Sequence, residues 1–101
     1  MPPATFYGVV VGSMGEVGAH LTARVDDQPC GAGVVQAWQG QRVYTLQVAA
    51  DVGHGCGVAE RLVTLHWADG SLAGWGRWEN QQAQFVTIGD GARLWLPLVA
   101  R

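Results

Sequence analysis

The 101-residue chain contains no lysine and only two serines, Ser13 and Ser71. Without lysine there is no Schiff-base chemistry, no lysine general base and no isopeptide crosslink between lysine and asparagine. Neither serine stands in the Gly-x-Ser-x-Gly setting of a nucleophile elbow. Ser71 follows the turn pair Asp69-Gly70, and Ser13 sits in the glycine-rich stretch 12–18, so both read as turn chemistry. Basic charge is also scarce: six arginines against eight acidic residues give a net charge of −2. That balance lacks the basic footprint of a nucleic-acid binder and argues against nucleic acid as a partner. Long apolar runs are missing too, the longest being short stretches such as 9–11 and 94–100. No membrane span is expected, since one needs about 18 or more apolar residues. The opening Met1-Pro2-Pro3-Ala4 shows neither the basic nor the apolar region of a secretion leader. Helical periodicity is lacking throughout.

What is present points to a folded all-β domain. Hydrophobic residues make up 49% and charged residues 14%, enough apolar material for a core and too little charge for a disordered segment. The length suits a single domain over residues 1–101. Period-two alternation recurs along it. In residues 61–68, Val63, Leu65 and Trp67 share one face while Leu62, Thr64 and His66 share the other. Leu21, Ala23 and Val25 alternate with His20, Thr22 and Arg24, and Tyr44, Leu46, Val48 and Ala50 alternate with Val43, Thr45, Gln47 and Ala49. Turn pairs separate such runs. Asp69-Gly70 joins the Trp67 strand to residues 72–78, Gly40-Gln41 separates 34–38 from 42–50, and Asp90-Gly91 joins 84–88 to 93–99. With 5–11 and the segment after Cys30, seven to eight short strands result. Their spacing predicts two packed antiparallel sheets, a Greek-key β-sandwich of immunoglobulin-like layout. The one long turn-rich stretch is 51–59.

The order of these features resembles the transthyretin-like or carboxypeptidase-regulatory-like β-sandwich modules of secreted bacterial proteins. The residues that carry the likeness are Phe6-Tyr7-Gly8, the strand 21–25, Cys30-Gly31 and Tyr44-x-Leu46-x-Val48-x-Ala50-Asp51. They continue with Gly55-Cys56-Gly57, Val63-x-Leu65-x-Trp67 and the downstream Trp78. The tail Leu94-Trp95-Leu96-Pro97-Leu98-Val99 resembles the ending of many secreted proteins from green non-sulfur bacteria. Such modules are typically non-catalytic and extracellular, and the resemblance brings no catalytic residue with it.

Few side chains form a constellation that carries chemistry. Cys30 and Cys56 stand 26 positions apart, each followed by glycine, and an even count in a small glycine-rich domain suits a disulfide. The alternatives are two reduced thiols in a cytoplasmic protein, or a metal site joined by His54, although the paired-cysteine spacing of structural zinc is missing. His20 and His66 fall on outward strand faces, and Asp26-Asp27 reads as a turn. Glu16, Glu60 and Glu79 are scattered.

Five tryptophans are the compositional excess. Parity places Trp67 in the core, and Trp78 with it on the face of Leu72, Gly74 and Gly76. Trp75 falls on the opposite face with Ala73 and Arg77. An outward patch of Trp75 and Arg77, joined by Trp38 or Trp95, is the candidate binding surface, because flat aromatic faces stack on sugars and anchor protein contacts. The leading expectation is a non-enzymatic structural or display module of a secreted or cell-surface protein, without a cofactor. The alternatives are a carbohydrate-binding module that uses exposed tryptophan, and the protomer of a surface filament or virion-type assembly. In the assembly the apolar C-terminal strand and Trp95 make the homotypic contact.

Overall fold

Alternating apolar and polar residues carry most of the chain into strands in the computed structural model, which describes residues 3–13, 15–50 and 56–89. Nine strands and no helix occur among the described residues: β1 (Ala4–Val11), β2 (His20–Val25), β3 (Gln28–Val34), β4 (Gln36–Trp38), β5 (Gln41–Val48), β6 (Leu62–Trp67), β7 (Leu72–Arg77), β8 (Gln84–Phe85) and β9 (Ile88–Gly89). Hydrogen bonds join them in the order β7-β6-β2-β3-β5-β1-β8, with β4 also on β5 and β9 also on β1.

The all-β expectation is met, but the layout differs from two antiparallel sheets. The hydrogen bonding traces one sheet, and that sheet is mixed, because β8 and β9 run parallel to β1 while the other pairs are antiparallel. The sheet curls until its ends approach each other as a nearly closed barrel. At the meeting point a side chain on Gly74 of β7 would lie 2.8 Å from Cγ2 of Ile88 in β9, so the missing Cβ lets the two ends pack.

The curl begins in the middle of the chain. Val35, between β3 and β4, is buried and pairs its backbone sideways, its N–H donating to Ala19 O (2.9 Å) and its carbonyl accepting from Gly18 (2.8 Å). Upstream of this bend β3 lies on β2, and downstream β4 lies on β5. Gly33 sits where β3 crosses to β5, and a Cβ there would stand 2.8 Å from Leu46 Cβ and 2.9 Å from Thr45 O. One continuous run thereby serves both halves of the barrel.

Of the expected turns, Asp26-Asp27 and Asp69-Gly70 hold their places, while the one expected at Gly40-Gln41 sits a residue earlier, at Gln39-Gly40, because Gln41 already pairs with Trp38 as the first residue of β5. Asp26 and Asp27 join β2 to β3 with φ of 53° and 65°, and Gln39 and Gly40 join β4 to β5 with φ of 52° and 79°. Both are two-residue hairpin turns with positive φ at each central residue, which matches the right-handed strand twist. At Asp69-Gly70, the Ser71 hydroxyl donates to Asp69 Oδ1 (2.6 Å) and the Ser71 N–H to the same oxygen (2.9 Å). These bonds, the hydroxyl first, hold the Asp69 carboxyl below its ordinary range.

Two expectations about strands need correction. Residues 84–88 do not form a single strand but split into β8 and β9, with the Val86 N–H donating to Tyr7 O between them. In β7 a bulge shifts the register, pairing Leu65 with Gly74 and His66 with Leu72. Leu72 therefore leaves the face expected for it and is only half-buried, while Ala73 turns into the core at 0% exposure. The hairpin at Asp90-Gly91, the strand at 93–99 and most of the turn-rich stretch from Asp51 lie outside the described residues.

The interior is apolar, with Phe6, Leu21, Leu65 and Ile88 fully buried beside Tyr44, Trp67 and Trp78. No polar or charged residue is buried among the described residues. The aromatic residues bring polar tips that need partners. The Tyr44 hydroxyl donates to Val86 O (2.6 Å) and the Trp78 indole N–H to Val48 O (3.2 Å), whereas Trp67 Nε1 has no acceptor among the described residues.

Candidate functional site

Buried apolar side chains occupy the interior among the described residues, and two hollows with exposed aromatic side chains lie on the outer faces. The larger feature is a trough of about 440 Å3 on the outside of β4, β5, β1 and β8. Tyr7, Trp38 and Phe85 form its aromatic part, exposed by 41%, 59% and 58%. Tyr7 is outward because its neighbour Phe6 is inward, and the parallel pairing Tyr7↔Phe85 brings the two rings edge to face with centroids 5.4 Å apart. Trp38 stands at the β4–β5 turn, paired with Gln41. Gln36, Gln41 and Thr45 supply amide and hydroxyl groups along the trough, and none of the described residues lining it is charged. Tyr7 pairs with Thr45 and Trp38 with Gln41, so these aromatics sit two strand spacings apart and four residues along β5. Their separation is therefore on the order of 15 Å.

Another depression, of about 240 Å3, lies on the outside of β6 and β7, lined by Leu62, Thr64, Leu72, Trp75 and Arg77. Trp75 and Arg77 face outward together as expected, with Trp75 exposed by 42%. The Arg77 guanidinium donates to Glu60 O (3.3 Å). Leu62 and Thr64 also border a polar hollow with Arg24, Asp26 and Asp27. There Asp26 is ion-paired with Arg61.

The structure thus separates residues that parity alone gathered into one patch. Trp38 belongs to the first trough and Trp75 with Arg77 to the second, while Trp95 lies outside the described residues. Tyr7 and Phe85 join the trough outside the expected patch: the alternation of Phe6 and Tyr7 marks the Tyr7 ring as outward, whereas Phe85 reaches it only through the parallel pairing of β8 with β1.

Cys30 and Cys56 are joined in a disulfide with Cα atoms 5.7 Å apart, tying β3 to the segment before β6. Both sulfurs are spent in that bond, which leaves neither cysteine a thiolate for a metal. The Gln28 amide reaches Cys56 Sγ at 3.9 Å. His66 sits at the surface, its Nδ1 3.1 Å from Gly70 O and its Nε2 2.8 Å from Thr64 Oγ1. No helix among the described residues is long and apolar enough to cross a membrane. Comparison with protein-family models, curated proteins and solved structures finds no match for this chain.

Proposed function

We propose that the chain is a non-enzymatic binding module of a secreted or cell-surface protein, and that the Tyr7–Trp38–Phe85 trough takes a neutral oligosaccharide. The observation that carries this reading is the uncharged aromatic lining itself. Sugar rings present apolar C–H faces that stack on aromatic side chains, and hydroxyls that exchange hydrogen bonds with amides and alcohols. Exposed aromatics set between glutamines and a threonine, without a fixed charge, match both needs. The distance from Tyr7 to Trp38 suits a chain of several rings better than a single sugar. The disulfide is compatible with an oxidising compartment, which suits a secreted or cell-surface setting.

The test is affinity electrophoresis or array binding with neutral polysaccharides. Trp38→Ala and Tyr7→Ala should each weaken binding about tenfold or more, equal to ~1.4 kcal/mol, and raising the salt concentration should leave the affinity unchanged. Retention of full binding by both variants would sink the proposal. A purely structural or display role is the second reading. It is favoured by the covalent tie between β3 and the segment before β6, and it stands if no neutral glycan binds.

A further inference from the structure

The outer face of β7, β6 and β2 lies away from the aromatic trough and carries a pattern that is complementary to itself. Three rows cross it. Arg77 pairs with Leu62, and Leu62 borders the hollow of Asp26 and Asp27. Trp75 pairs with Thr64, which pairs with Arg24. Leu72 pairs with His66, which pairs with Thr22. Each row therefore has a β6 residue at its centre, and the first two carry unlike partners at their ends. The first runs from cation through leucine to carboxylate, and the second from indole through threonine to guanidinium.

We infer that this face is a homodimer interface, occupied by a second copy of the chain about a two-fold axis along β6. Such an axis exchanges the β7 and β2 sides while leaving each row level with itself. Arg77 of one copy then meets Asp27 of the other, Trp75 meets Arg24, and Leu62 and Thr64 meet their own counterparts. Every unlike pair occurs twice, as an isologous contact requires. Guanidinium against carboxylate and guanidinium over indole are both attractive, and Leu62 at the centre is an exposed apolar residue that gains by leaving water. The partners are available: Asp26 is held by Arg61, but the Asp27 carboxylate and the Arg24 guanidinium have no side-chain partner among the described residues. A neutral glycan would have no use for the cation and anion at opposite sides of the strip, whereas a second copy uses both.

Sedimentation of the full chain from micromolar to millimolar concentration tests the interface. The wild type should pass from monomer to dimer. Arg77→Asp alone and Asp27→Arg alone should each weaken dimerisation at least tenfold, because like charges then face each other. An equimolar mixture of the two variants should restore a dimer, since each supplies the charge that the other needs. Trp75→Ala should also weaken the dimer, and Trp38→Ala in the trough should leave it intact, so this proposal and the glycan reading fail separately. Circular dichroism confirms that each variant is folded. A wild type that stays monomeric throughout, a dimer indifferent to Arg77→Asp, or a mixture that remains monomeric would overturn the inference. So would a monomer that binds neutral polysaccharide through Trp75.

Discussion

Tyr44 holds a phenol in an apolar interior, 1% exposed, with its one hydrogen bond running to the Val86 carbonyl. Burial disfavours the phenolate and pushes the group well above its ordinary value of 10.0. In the unfolded chain the same phenol ionises near pH 10, so above that pH the unfolded state binds fewer protons than the folded one. Stability is therefore unaffected at neutral pH and falls as pH rises beyond about 10, by up to ~1.4 kcal/mol per pH unit. Tyr44→Phe should flatten this alkaline limb. At neutral pH it should cost roughly 1–3 kcal/mol, because the Val86 carbonyl loses its partner. Urea unfolding at a series of pH values from neutral to strongly alkaline reads both effects, and an alkaline limb that persists in the variant would place its source elsewhere.

Strands with strict alternation were legible down to the single residue. In β2, β5 and β6 the residues assigned inward by parity are the buried ones: Leu21, Ala23 and Val25, then Tyr44, Leu46 and Val48, then Val63, Leu65 and Trp67. In β7 parity failed only at Leu72 and Ala73, because a bulge is a property of a pair of strands: two residues of β7 oppose a single step of β6, and nothing in the spacing of 72–78 announces it. The parallel pairing of β8 and β9 with β1 was hidden for a similar reason. It depends on contacts between ends of the chain remote in sequence, whereas the hairpins carry a local turn signature. These assignments translate into a ranking of variants. Trp67→Ala and Trp78→Ala remove buried indoles and should each cost roughly 3–5 kcal/mol, while Trp75→Ala should stay within about 1 kcal/mol. Leu72→Ser should be mild, and Ala73→Leu should cost about 1–3 kcal/mol by overpacking the core. Chemical denaturation checks the order, and a mild Ala73→Leu would contradict the bulge.

At the scale of the whole molecule, the candidate surface was legible only in fragments. Alternation exposed Trp75 and Arg77, but nothing in the sequence states how far a sheet curls, and the curl puts Trp38 and Trp75 on different faces. It also collects Tyr7 and Phe85 beside Trp38, a grouping that exists only once β8 lies parallel to β1. The cysteine pairing was readable from count and spacing, and its stabilising effect is that of closing a loop of 26 residues, roughly 3–4 kcal/mol. Reductant should accordingly lower the melting temperature by roughly 10–30 °C, and intact mass should rise by two hydrogens on reduction. The same bond encloses β4 and β5, so Trp38, Gln41 and Thr45 all lie within a covalent ring closed between Cys30 and Cys56. A protease that cuts at the exposed Gln39-Gly40 turn opens the ring without dividing the molecule. The nicked protein should run as one band on a denaturing gel without reductant and as two fragments with it. In a milieu rich in peptidases, Trp38 would stay fastened to the strand it pairs with even after the backbone between them is severed.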